Sequence, residues 1–267
     1  MNLKYSSTPK KNLSIMRTSA FILVAAFMLG TVFTAKAQKL KNFLDNKDSS
    51  FTWLGIDFTQ ARLIGDAGAK PIDFVDSHFA GINQVVVNEP KKYDVPGNFR
   101  HENVTYDISL VNKRNSAINP DNFKSDNSAD LHRLTEDDVA KLVKGFDFGG
   151  KKGIGALLVM DGMSKTDKKA SAFVTLVDMG SRRVLMAERI EGKTGMAFGN
   201  RNYWALPVKY ILDNFHDDYN KLREKYANAT DPVEPAPAPA PAPAPASKKS
   251  GKTGVANTKA QPAKKKS

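Results

Sequence analysis

Two Gly-Lys-Thr triplets, at 192–194 and 251–253, are the residues most suggestive of chemistry in this chain. A phosphate-binding loop needs another glycine five residues before the triplet glycine, so that free backbone amides can wrap the phosphates. Those places hold Ala187 and Ala246. Ala187 also falls inside a stretch that reads as strand, so no nucleotide site is expected. The four histidines are His78, His101, His132 and His216. His101-Glu102 begins like a zinc-protease helix, but Thr105 stands where the second histidine belongs. His78 and His216 have no second ligand one helical turn away, and no metal site is expected. Asp126 to Asp130 supplies oxygens with the spacing of a calcium loop, and Asp137 falls at its twelfth position. Leu131 occupies the sixth position, where the sharp turn requires glycine, so a polar loop followed by a helix cap is the reading. No Gly-x-Ser-x-Gly elbow is present, and Asp57 and Asp66 are the carboxylates a hydrolase reading would use.

The stretch Met196 to Trp204 offers binding rather than catalysis. Asn200, Arg201, Asn202 and Tyr203 lie just before the longest helical pattern, and amides at a helix start beside an arginine can hold a carboxylate or phosphate. A purely structural reading competes with it, in which Asn202 or a neighbour caps the helix while Phe198 and Trp204 staple the loop to the core.

The elements that would position these residues lie between the two ends of the chain. Residues 1–37 carry Lys4, Lys10, Lys11 and Arg17, then the apolar run AFILVAAFMLGTVF, then Ala35-Lys36-Ala37. These are the parts of a secretory signal peptide, with cleavage expected between Ala37 and Gln38. Absence of cysteine excludes disulfides, a cysteine nucleophile and a lipidated anchor. The expected destination is a Gram-negative periplasm or the exterior, with no membrane span after cleavage. Residues 231–267 contain six Pro-Ala repeats and a lysine-rich end, read as a disordered spacer and basic tail. The formal charge of +12 divides as +5 in each end and +2 in residues 38–230. A nearly neutral central domain gives no electrostatic case for nucleic acid.

Within 38–230 the pattern predicts one α/β domain, with α+β as the alternative. A single mixed sheet with packed helices is expected, in the order β-α-β-α-β-β-β-α. Residues 51–64 read as a strand with Leu54, Ile56 and Phe58 on one face. Ile72, Val75, Phe79, Ile82 and Val86 mark an amphipathic helix ending before Pro90. Val104, Tyr106, Ile108 and Leu110 alternate as a strand, and Thr135 caps a helix with acids at 136–138. Gly155–Met160 reads as a strand buried on both faces, followed by a hairpin over 172–190. Trp204 through Tyr226 keeps helical spacing, with Pro207 tolerable in the first turn.

The segment AFVTLVDMGSRRVLMAERIEGKTG resembles the closing hairpin of the periplasmic α/β module shared by the TolB amino-terminal domain, the curli secretion lipoprotein CsgG and the penicillin-binding-protein activator LpoB. Asp178 and Ser181 match the turn of that group, and Arg182 stands where the group has glycine. The resemblance spans residues 150–225. It implies a non-catalytic module that assists envelope or secretion assembly or binds a partner protein. The expected function is therefore a non-enzymatic, envelope-associated interaction protein without a cofactor. Its expected partner is an envelope protein or an anionic envelope polymer, peptidoglycan or lipopolysaccharide, touched by Lys248, Lys249, Lys264, Lys265 and Lys266. The rivals are a cysteine-free periplasmic hydrolase and a small-ligand-binding domain using the 198–204 loop.

Overall fold

The computed structural model of the protein describes residues 39–229 and 231. The leader, the cleavage pair Ala37-Gln38 and the tail lysines Lys248, Lys249, Lys264, Lys265 and Lys266 lie outside the described residues. One mixed sheet contains β1 (Phe51–Asp57), β2 (Arg62–Ile64), β3 (Val104–Tyr106), β4 (Lys124–Ser125), β5 (Ile154–Ser164), β6 (Lys169–Asp178) and β7 (Arg183–Lys193). The helices are α1 (Lys39–Asp45), α2 (Pro71–Asp73, Phe74–His78 and Phe79–Asn88 in continuous succession), α3 (Pro90–Tyr93), α4 (Val95–Phe99), α5 (Ser109–Asn115), α6 (Glu136–Lys144) and α7 (Asn200–Lys225). The fold is α/β, and with α1 and the short β2 and β4 set aside and consecutive helices taken together, the order is the expected β-α-β-α-β-β-β-α.

Strand β5 is the spine. One edge pairs in parallel with β1 along Ile154–Val159 and then with β2 along Gly162–Ser164, while the other edge pairs antiparallel with β6. Its alternation serves both faces. Ala156, Leu158 and Met160 enter a core shared with α1, α2, α4 and α7, whereas Leu157 and Val159 enter a second core with Val111 of α5 and Val139 and Val143 of α6. A strand buried on both faces is apolar throughout, which is why 155–160 is legible as one. The crossover from β1 to its parallel neighbour β3 runs through α2 on the first face. The return to β5 runs through α5 and α6 on the second.

Four local expectations are corrected. Residues 51–64 are two strands, not one, and a bulge at Gly55 (φ 97°) reverses the alternation. Trp53, Ile56 and Phe58 therefore share a face while Leu54 enters the opposite core. The strand expected over 104–110 is three residues long, because Ser109 already begins α5. In α2 a wide π turn at Phe74–His78 rotates the apolar stripe, burying Phe74 and leaving Ile72 47% exposed. Pro207 is the eighth residue of α7 rather than part of its first turn, so the Tyr203 carbonyl has no helical donor four residues on.

The same region explains the first Gly-Lys-Thr triplet. A Cβ at Gly192 would overlap the Pro207 carbonyl oxygen. Gly192 lets the proline turn of α7 lie directly on the end of β7. At the other end of the described chain, the Asp231 carboxylate accepts the amides of Lys39 (2.7 Å) and Leu40 (3.3 Å) at the start of α1. This joins the two ends of the domain.

Candidate functional site

Two hollows merit comparison, and the first lies where the sequence suggested. Asn200, Arg201 and Asn202 form the first turn of α7 and line a hollow of about 400 Å³ with Ser77, His78 and Gly81 of α2. Glycine at 81 makes room for the arginine, since a methyl group there would stand 2.8 Å from Arg201 Cδ. Arg201 donates from Nε to Asn202 Oδ1 at 3.1 Å, and it makes no ion pair with any described residue. Tyr203 is not brought to this hollow. Its hydroxyl donates to Thr194 Oγ1 at 3.0 Å and its ring receives Lys165 Nζ at 4.2 Å.

The helix cap is Gly199 at φ 78°, with no side-chain cap, so no asparagine closes the helix start. Trp204 is buried as expected, but Phe198 is 97% exposed and Met196 is fully exposed. The loop is therefore not stapled to the core through Phe198. It presents two large apolar side chains to solvent beside a guanidinium that has no ion pair among the described residues.

The second hollow was not visible in the sequence. It lies at the carboxyl end of β1, where side-chain amides take over backbone groups that no neighbouring strand reaches. Asn83 of α2 accepts the Ile56 amide at 2.7 Å and donates to the Ile56 carbonyl at 3.1 Å. Asn115 of α5 accepts the Phe58 amide at 2.8 Å and donates to the same carbonyl at 2.9 Å. All four bonds are buried, which fixes the strand end tightly. Asp57, the last residue of β1, is fully buried. Its Oδ1 accepts the amide of Thr59 at 2.8 Å and the Thr59 hydroxyl, and its Oδ2 accepts Arg114 Nε at 3.0 Å. Beyond this pair, Arg62 and Arg114 line a hollow of about 450 Å³ with Gln60, Asn119, Asn122 and Phe123 among its walls.

A second buried carboxylate, Asp161, sits where β5 bulges between Met160 and Gly162. It accepts the Leu134 amide at 3.1 Å and Arg189 Nη1. Arg189 in turn donates to the Leu134 carbonyl and to Ser171 Oγ (3.2 Å), and lies 4.5 Å from the Phe173 ring centre. This pair opens onto neither hollow described above.

The remaining candidates are dispersed. His101 is buried, with Nδ1 3.1 Å from the Lys47 carbonyl and its ring 4.0 Å from Phe43. Burial depresses its pKa, with the Lys47 carbonyl opposing. His132 pairs with Glu191, and His216 Nδ1 lies 3.1 Å from the Gly97 carbonyl. Asp66 pairs with Lys165 at 3.6 Å, so Asp57 and Asp66 are held by different partners. In the 126–130 loop, Ser125 and Asn127 donate to Asp130, and Asn127 Oδ1 accepts the Ala129 amide. Among the described residues no group of three or more His, Cys, Asp or Glu is placed to hold a metal, and no helix is long and apolar enough to cross a membrane. No family profile, curated protein or solved structure matches the chain.

Proposed function

We propose that this chain is a non-enzymatic, envelope-associated interaction protein, exported to a Gram-negative periplasm or beyond, that docks a partner protein through the loop ahead of α7. The observation that carries this reading is the pair Met196 and Phe198, both exposed beside an Arg201 that has no ion pair among the described residues. Isolated exposed apolar residues are ordinary, but two bulky ones on one short loop favour an interaction surface. The complementary partner has an apolar cleft with an acidic rim, since aromatic, methionine and arginine side chains are the common anchors of interfaces. The likeness of residues 172–195 to the TolB, CsgG and LpoB hairpin supports a role in envelope or secretion assembly. In this reading the Pro-Ala spacer lets the tail lysines reach an anionic polymer, peptidoglycan or lipopolysaccharide, while the domain holds its partner.

A photoreactive phenylalanine analogue at position 198, introduced into the full chain in native envelopes, tests this. A discrete adduct is expected from 198, lost with Arg201→Glu and absent when the probe is placed at the exposed Lys141. No adduct, or the same adducts from both positions, overturns the docking loop. Removing residues 234–267, which keeps Asp231 on α1, should reduce recovery of peptidoglycan or lipopolysaccharide without removing the adduct. Unchanged recovery of both polymers overturns the tether.

A further inference from the structure

We propose that the hollow at the carboxyl end of β1 is a binding site for a small phosphate-bearing molecule, with Arg62 and Arg114 holding the phosphate. The site is distinct from the docking loop and does not depend on it. In sheets with parallel strands, ligands bind outside the carboxyl ends where successive crossovers leave in opposite directions. Strand β1 is that place here: β3 and β5 flank it on opposite sides, and the crossovers to them run over opposite faces.

Asp57 beneath the hollow balances Arg114, and no carboxylate of the lining balances Arg62. Both oxygens of Asp57 are already engaged, by Thr59 and by one nitrogen of Arg114. Arg114 spends only Nε on Asp57, and neither of its terminal nitrogens bonds to any described residue. Arg62 has no ion pair with a described residue and bonds only to the Ala61 carbonyl, at 3.1 Å. Burial, and then the like charge of Arg133, pushes the Arg62 guanidinium below its ordinary range, against the opposing pull of Asp130 and Asp161. Arg133 is tied to the rim through Gln60, whose carbonyl accepts its Nη2 at 2.6 Å.

Two half-exposed guanidinium forks present more donors than one carboxylate readily accepts. They match the three oxygens and roughly −1.5 to −2 charge of a phosphate monoester. Asn119 turns its carbonyl oxygen to the Asp121 amide at 3.0 Å, which leaves its NH₂ for a ligand hydroxyl. A volume of about 450 Å³ suits a small molecule and exceeds what one ion fills.

Titration calorimetry of the full chain at constant ionic strength, with inorganic phosphate, glycerol 3-phosphate and acetate, tests the proposal. Saturable binding is expected for both phosphates, tighter for glycerol 3-phosphate, with acetate inert. Arg62→Gln should weaken phosphate binding about tenfold or more, as expected for losing a charge-assisted contact. Lys141→Gln, on the exposed face of α6 and outside both hollows, should leave it unchanged. Because Arg114→Gln also strips a buried carboxylate of its partner, Arg62→Gln carries the test, with circular dichroism confirming its fold. No saturable heat from either phosphate, or binding that survives Arg62→Gln intact, overturns the site. Binding of inorganic phosphate and acetate alike, with no gain from glycerol 3-phosphate, overturns its assignment to phosphorylated small molecules.

Discussion

Asp161–Arg189 and Asp57–Arg114 are the same chemical pair in two different settings. Both carboxylates are fully buried, and both arginines lie against a phenylalanine ring, Phe173 in one case and Phe146 in the other. Around Asp161 the fork is closed, because Arg189 also reaches Ser171 and the Leu134 carbonyl. Around Asp57 the fork is open, because Arg114 gives one nitrogen to the carboxylate and lines a hollow with the rest of its side chain. A closed pair ties β5 and β7 to the segment before α6. An open pair sets a cation at the end of a strand without consuming all its donors. The difference separates a structural fastening from a potential site more cleanly than burial or pairing alone.

The largest expected effect should come from breaking the closed pair. Asp161→Ala strips Arg189 of its charge partner and the Leu134 amide of its acceptor, and should cost about 3 kcal/mol. For a domain of this size that corresponds to a fall in Tm of about 6–12 °C, measurable by urea and thermal unfolding. A loss below about 1 kcal/mol would mean that the pair is not a fastening.

Opening the second pair should cost less, because Arg114 can turn its charge towards the hollow and water. Asp57→Ala is expected to destabilise by about 1–2 kcal/mol through loss of the Thr59 and Arg114 bonds. Asp57→Asn should cost less than Asp57→Ala, because its amide oxygen can still accept the Thr59 N–H. If Asp57→Ala costs as much as Asp161→Ala in parallel urea titrations, the open and closed settings do not differ as claimed.

His101 extends the comparison to a buried titratable group with no ionic partner among the described residues. The ordinary histidine pKa is about 6.5, and burial lowers it here despite the Lys47 carbonyl. A depressed folded value means that the unfolded chain takes up the proton first. The stability contributed by neutral His101 is therefore full above about pH 6.5 and is lost as pH falls towards the folded value. His101→Phe, which keeps an aromatic ring against Phe43 and Phe51, should flatten Tm against pH below that point. The neighbouring Tyr219, pushed up to about 12 by burial, stays neutral throughout that range. An unchanged profile in His101→Phe would assign the acid lability elsewhere.

These regions also differ in how far the sequence exposed them. The hollow ahead of α7 takes Asn200, Arg201 and Asn202 from one turn, so local pattern alone placed them together. The arginine hollow takes Arg62 from β2, Arg114 from α5 and Asn122 from a later turn, and no spacing rule connects residues 52 positions apart. Its one sequence cue was Asp57, read there together with Asp66 as the carboxylates of a hydrolase. The strand over 155–160 was legible because burial on both faces leaves a continuous apolar run. The bulge at Gly55 and the π turn of α2 were not, since one extra residue reverses a stripe without changing composition. The capping box of α6 was half visible: Thr135 was expected as the cap, and Asp138 completes it by accepting the Thr135 amide at 3.0 Å.

The smallest effect concerns a residue held by backbone geometry instead of charge. The β6–β7 turn is fixed by Asp178, whose Oδ1 accepts the Gly180 amide at 3.2 Å and whose Oδ2 accepts the Ser181 hydroxyl at 2.8 Å. Burial would raise the Asp178 pKa, but Lys39 and Ser181 outweigh it and the carboxyl stays below its ordinary range. The next residue, Arg182, then adopts φ 55°, a left-handed conformation that costs a side-chain-bearing residue about 1 kcal/mol. Glycine removes that strain but gives the unfolded chain more freedom, so the two terms partly cancel. Arg182→Gly should therefore stabilise by about 0.5 kcal/mol or less net. Arg182→Ala, which keeps the Cβ and so the strain, should show no such gain in the same unfolding measurement. Equal stability of the glycine and alanine variants would mean that the turn is set entirely by the Asp178 bonds and stores no strain at 182.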